Sequence, residues 1–363
     1  MDKTTESEPQ SMPYATIITH RSDLSLLYRI LRAVIRPLRP RLVAPKREYA
    51  AGSPRLQNHP RKIHGVTITE REVLVSPDLS SQSAPIYGSA TESESLWVYD
   101  FRPQDGNQEP GQGTHTVYYF PGGGFQSPAA SEHWKFCAYL ASRLPRSRVV
   151  LVSYPLAPSS PASTTLPLLR RWLTQTLEDT AAGNGVVSLT GDSSGANIAL
   201  SLGLWCADQL ATTKSGPGED RRSYLRCLRS ILASSPPTDM NNSNPAIAEA
   251  DARDPVLGKR VADGAAEAWS TGSDKRDPYL SPKLADLGNM RATGVEINGV
   301  LGTADVLAPD ALEFAERCRG EGVRGNWLVW EGQMHCFPLT ACYGLREGRE
   351  ARDWVVKVLQ EVV

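Results

Sequence analysis

The chain has 363 residues, 40% of them apolar, with 39 basic against 40 acidic side chains and a formal net charge of -1. That is ample apolar material for a large core and excludes a small disulfide-stapled domain. The even charge excludes a chain dominated by a nucleic-acid-binding surface, and the lack of any run of about 18 apolar residues excludes a membrane-spanning helix.

The start, MDKTTESEPQ, fits neither a secretory signal nor a transit peptide, and residues 1–21 read as disordered. A helix is expected from Ser22, which can cap it, to Pro37, which stops it, with Leu24, Leu27, Tyr28, Leu31, Val34 and Ile35 on one face. Arg29, Arg32 and Arg36 lie on the other face, and Arg39, Arg41, Lys46 and Arg47 follow. A basic amphipathic helix of this kind, here 22–36, can make peripheral contact with an anionic membrane, or can bury its apolar stripe in the protein; the second is the commoner use. Segments 65–76 and 95–102 read as early antiparallel strands.

From there apolar runs alternate with helical patterns. Strands are expected at 116–120, 148–154, 185–190, 228–234, 295–301 and 326–330, with helices near 131–144, 163–178, after 195, at 309–319 and at 348–361. The polar stretch 240–282 shows no strand. Such alternation implies a parallel sheet covered on both faces. Cys137, Cys206, Cys227, Cys318, Cys336 and Cys342 have no metal-ligand spacing and read as reduced thiols, so a cytoplasmic location is expected. Cys336 and Cys342 are close enough in sequence to pair, but the compartment argues against it.

The strongest chemical signal is Gly191-Asp192-Ser193-Ser194-Gly195, a G-x-S-x-G between an expected strand and an expected helix. A strained turn there would expose the Ser193 hydroxyl at a helix N-terminus, where the dipole favours developing negative charge. Gly122-Gly123-Gly124 follows the 116–120 strand, and glycines allow bare backbone amides to face a tetrahedral oxyanion. A serine needs a base, and the base an orienting acid. His335 follows the last strand, in Glu331-Gly332-Gln333-Met334-His335. Asp305 ends Gly302-Thr303-Ala304-Asp305; its competitor Asp310 sits in an expected first helical turn, where an acid merely suits the dipole. Ser193, Asp305, His335 is the chain order required of this arrangement.

The sequence resembles the hormone-sensitive-lipase-like branch of the α/β-hydrolase fold over about residues 65–363. The resemblance rests on Tyr119-Phe120-Pro121-Gly122-Gly123-Gly124-Phe125, Tyr154-Pro155-Leu156-Ala157-Pro158, Gly191 to Asn197, and Asp277-Pro278-Tyr279-Leu280-Ser281-Pro282. It implies an α/β fold with a mostly parallel eight-stranded sheet flanked by helices and a helical cap. The implied division is 1–60 as N-terminal arm and cap helices, 61–239 with 283–363 as catalytic domain, and 240–282 as cap insertion. It also implies an oxyanion hole from the amides of Gly123, Gly124 and Ser194, and no metal or organic cofactor. Three positions, in two motifs, depart from the family pattern. Pro121 replaces a histidine, and Pro155 and Ser159 stand where the family carries Arg and Glu.

Three functions share these residues. One is a serine esterase acting on a small or medium lipophilic ester. Another is a tailoring enzyme of a natural-product pathway that deacylates, transfers or eliminates an acyl group. The third, a non-catalytic small-molecule receptor, is disfavoured by His335. Phe125 and Phe337 adjoin the glycine loop and the base and are expected pocket walls. The expected partner is a small-molecule ester, with no nucleic acid; oligomeric state is not legible.

Overall fold

The structure is a computed structural model that describes residues 16–42, 47–57, 59–77, 94–103, 114–212 and 222–362. The disorder expected of residues 1–15 and the basic side chains of Arg41 and Lys46 lie outside what is described.

In chain order the elements are β1 (Ile17–Arg21), α1 (Leu26–Ile35), α2 (Arg39–Leu42), β2 (Lys62–Ile63), β3 (Val66–Val75), β4 (Glu94–Pro103), β5 (His115–Phe120), α3 (Ser131–Arg143), β6 (Ser147–Ser153), α4 (Ala162–Ala182), β7 (Val186–Asp192) and α5 (Ser194–Ala211). They continue as β8 (Leu228–Ser234), α6 (Ile247–Arg253), α7 (Lys259–Ser270), α8 (Gly288–Thr293), β9 (Glu296–Gly302), α9 (Ala308–Gly320), β10 (Asn326–Trp330) and α10 (Arg346–Gln360). The strands form one sheet in the order β1-β10-β9-β8-β7-β5-β6-β4-β3-β2. It is parallel from β1 to β6 and antiparallel from β6 to β2. All six residues of β5 are buried. Val117 and Tyr119 enter the core on one face, and Tyr118 and Phe120 enter it on the other. A strand pleats its side chains alternately, so a continuous apolar run means helices on both sides. One face carries Leu169 and Trp172 of α4, Ala199 of α5 and Phe314 of α9; the other carries Leu140 of α3 and Val355 of α10.

Two strands extend the expected eight. The two-residue β2 closes one edge. At the other edge β1 pairs in parallel with β10, so residues 17–21 are ordered and not disordered. Helix α1 begins three residues later than Ser22 suggests, because Ser25 is its cap and accepts the Tyr28 amide at 3.2 Å. Its exposures also depart from the expected stripe. Tyr28 is buried, with Leu24, Leu31 and Ile35 beside it, while Leu26, Leu27, Ile30 and Val34 face outward. Of the basic side chains, Arg32, Arg36 and Arg39 donate to the carbonyls of Arg253, Ala252 and Asp251 at the end of α6, where cations suit the helix dipole. Among the described residues no helix is long and apolar enough to cross a membrane. All six cysteines are free, Cys336 and Cys342 included.

Candidate active site

Ser193 stands between the end of β7 and the start of α5 with φ 51° and ψ -125°. A non-glycine residue held there costs on the order of 1–3 kcal/mol. The glycines make the turn feasible. A Cβ on Gly195 would overlap the Phe120 carbonyl, and one on Gly191 would meet both that carbonyl and Gly195. The Ser193 amide donates to the Ser234 carbonyl at 2.8 Å, which ties the turn to β8.

His335 lies on the loop after β10, and Asp305 follows β9. Asp305 is fully buried and His335 is 8% exposed. His335 Nδ1 is 2.9 Å from Asp305 Oδ2, and His335 Nε2 is 2.9 Å from Ser193 Oγ. With the proton on Nδ1, the ring donates to Asp305 and accepts from the serine. The other oxygen of Asp305 accepts the Leu307 amide at 2.9 Å, which fixes the carboxylate. Burial pulls the His335 imidazole down, but Asp305, together with Cys336 beside the ring, outweighs burial and holds its pKa well above the ordinary histidine value. Asp310 is elsewhere, in the first turn of α9, where it pairs with Lys283 at 2.6 Å and accepts from Asn244 at 3.2 Å.

The glycine loop follows β5. Gly123 and Gly124 have φ 143° and 60°, values open chiefly to glycine. A Cβ on Gly122 would collide with the Asp192 carboxylate. Asp192, inside the serine motif, organises this loop from beneath. Its Oδ1 accepts the Tyr119 hydroxyl at 2.5 Å and the Gly122 amide at 3.0 Å, and its Oδ2 is 3.3 Å from His133 Nε2. Burial pushes the Asp192 carboxyl up, yet His133 and the two donors outweigh it and hold the group below its usual value. His133 moves the opposite way for the same reason. Replacing Asp192 by alanine would strand three buried donors, a loss expected to destabilise the fold by about 3–5 kcal/mol in denaturant unfolding.

Tyr154 answers the question that Pro121 raises. Its hydroxyl donates to the Pro121 carbonyl at 2.9 Å and lies 3.2 Å from Ser194 Oγ, so it braces the loop against the elbow without an N–H at position 121. The expected pocket walls are packed instead of lining open space. Phe337 is fully buried against Trp330, and Phe125 stacks on Trp269 of α7 with centroids 4.4 Å apart. Sequence reading missed the roles of Tyr154, Tyr119, His133 and Asp192; all but His133 lay within motifs that could have drawn attention.

A second histidine–serine pair is of another kind. His115 Nε2 is 2.8 Å from Ser188 Oγ, but its Nδ1 meets Ser147 Oγ at 2.9 Å, so no carboxylate orients the ring. Burial pushes His115 down to about 4, and a neutral, fully engaged ring is a core group. Asp192 lies four residues further along β7, roughly 13 Å away at strand rise.

A strand-borne serine elbow, a glycine loop beside it, and acid and histidine loops at the carboxyl ends of neighbouring strands define an α/β hydrolase. Residues 117–339, more than half of the chain, match the alpha/beta hydrolase fold family, and the chain belongs to it. An esterase of Acinetobacter venetianus is 23% identical over 227 residues, covering 62% of this chain and 68% of the relative. Solved structures share the fold at lower identity. An esterase/lipase from an uncultured bacterium is 18% identical with a TM-score of 0.65, covering 93% of this chain and 99% of that one. A hyperthermophilic esterase from Pyrobaculum calidifontis is 19% identical at 0.64, covering 92% and 94%. A hormone-sensitive lipase from a metagenome library is 20% identical at 0.61, covering 92% of each.

Proposed function

We propose that this chain is a carboxylic ester hydrolase that works through an acyl-enzyme on Ser193. The observation that carries the reading is the unbroken line Ser193–His335–Asp305, two contacts of 2.9 Å with the histidine buried between a serine and a fully buried carboxylate. The esterase named among the relatives supports the same class.

His335 takes the Ser193 proton as the hydroxyl attacks the ester carbonyl. Asp305 holds the ring in the required tautomer and balances the imidazolium. The amides of Gly123, Gly124 and Ser194 receive the oxyanion. Ser194 is the first residue of α5, so its amide has no intrahelical acceptor. One such donor is worth about 3 kcal/mol in the transition state. His335 then protonates the leaving alcohol, and water, deprotonated by the same ring, releases the acid. Residues 26–42 and 240–282 serve as the cap; a Cβ on Gly124 would come within 3.4 Å of Ala265 on α7, so this cover lies directly on the oxyanion loop. The substrate in this reading is a small or medium lipophilic ester, and the free thiols suit a cytoplasmic setting.

A fluorophosphonate probe followed by peptide mapping tests the assignment. A single adduct on Ser193, absent from Ser193→Ala, is the expected result. An adduct on another serine, or unchanged labelling of Ser193→Ala, overturns it.

A further inference from the structure

Behind Asp305 lies a second carboxylate. Asp254 follows α6, in the segment between β8 and β9, and is fully buried. Its Oδ1 accepts the amides of Val256 and Leu257 at 2.8 and 3.1 Å, within its own turn. Its Oδ2 reaches 52 residues along the chain to accept the Val306 amide at 3.0 Å. Val306 is the residue directly after Asp305, so this bond fixes the peptide plane from which the acid side chain springs. Asp305 then has its own two oxygens occupied by Leu307 N–H and His335.

A local turn cap does not require a buried charge, since asparagine or serine caps as well. A buried carboxylate with only amides around it costs several kcal/mol. Among the described residues no lysine or arginine pairs with Asp254. The titratable groups that act on it are Asp305 from the loop after β9, His335 from the loop after β10, and Tyr28 from α1. Burial, then Asp305, push its carboxyl up to about 7, while His335 and the amides pull the other way. The turn that bears Asp254 is itself anchored, because Arg39 of α2 donates to the carbonyls of Asp251 and Leu257, each at 2.7 Å.

We propose that Asp254 is a positioning residue for the triad: by holding the Val306 amide it keeps the Asp305 carboxylate on His335, and it makes the segment covering the glycine loop part of that alignment. The inference rests on Asp305 being the orienting acid. Asp254 touches neither substrate nor reacting atoms.

Fluorophosphonate inactivation, resolved into kinact and KI across pH, tests this in the full chain for Asp254→Asn, Asp254→Ser and Asp305→Asn, with the folded fraction set by circular dichroism. Asn places an NH2 group where an amide donor must be accepted. Ser keeps a short acceptor for Val256 but cannot reach Val306. A small misalignment of a catalytic group costs up to about a hundredfold, so kinact should fall roughly 10- to 100-fold in both Asp254 variants with KI nearly constant. The acid limb of the profile should also move to lower pH, because the imidazolium loses a neighbouring negative charge. Wild-type kinact and an unmoved limb in both Asp254 variants, with Asp305→Asn slow, overturn the proposal and leave the triad standing, even if the variants melt earlier. Wild-type kinact in Asp305→Asn overturns the triad reading and this proposal with it.

Discussion

Ser193→Gly should abolish ester hydrolysis yet give a more stable protein than Ser193→Ala. Both substitutions remove the hydroxyl that meets His335 Nε2 at 2.9 Å, so both lose the same hydrogen bond and the same nucleophile. Turnover should fall at least about a thousandfold in each. What separates them is the backbone. At φ 51° and ψ -125° an L side chain stands in a conformation that costs about 1–3 kcal/mol. Glycine escapes that cost and gives back only about 0.5–1 kcal/mol through the greater freedom of its unfolded chain. Glycine should therefore exceed alanine in stability by about 1 kcal/mol, in the order that a helix N-cap position already favours. Denaturant unfolding of the two variants reads the difference directly. An alanine variant as stable as the glycine one would mean that the elbow is not strained. A variant with wild-type turnover would remove Ser193 from the mechanism.

The same elbow explains why much of this site could be read from the sequence. Gly191 and Gly195 are demanded by the Phe120 carbonyl, and apolar runs such as His115–Phe120 announce strands buried on both faces. A motif constrained by close backbone approach and a strand constrained by double burial both leave a local record. Other parts leave none. Strand β1 is exposed at most of its positions and gains its order only by pairing with β10, more than 300 residues away in sequence. The Asp192–His133 pair joins the serine motif to a helix 59 residues upstream, and Asp254 sits in a polar stretch with no periodicity. Pocket walls were inferred from adjacency along the chain, but Phe125 and Phe337 turn into the core, because a large apolar ring next to a loop finds more contact in protein than in an open cleft. Arginines on one face of a helix are equally mute about destination: in α1 and the turns after it, they meet the carbonyls that end α6.

Asp305→Asn should lower kcat by about ten-thousandfold and move the acid limb of kcat/KM to lower pH. The rate loss follows from the tautomer. An asparagine amide can turn its NH2 toward His335 Nδ1, which must then accept, and the ring proton goes to Nε2. A protonated Nε2 cannot take the Ser193 proton, and a comparable change in a serine triad costs about four decades. The pH shift follows from the opposed influences on the ring. Burial lowers the His335 pKa, and Asp305 with Cys336 more than reverses it, so in the native protein activity should disappear as pH falls through a value well above 6.5. Without the carboxylate, burial acts with less opposition, the ring stays neutral to lower pH, and the residual activity should persist there. A rate loss with no movement of the limb would mean that another negative charge balances the imidazolium. Asp254 is a second buried carboxylate that interacts with His335, so the double variant Asp254→Asn/Asp305→Asn would then show the shift that the single one lacks.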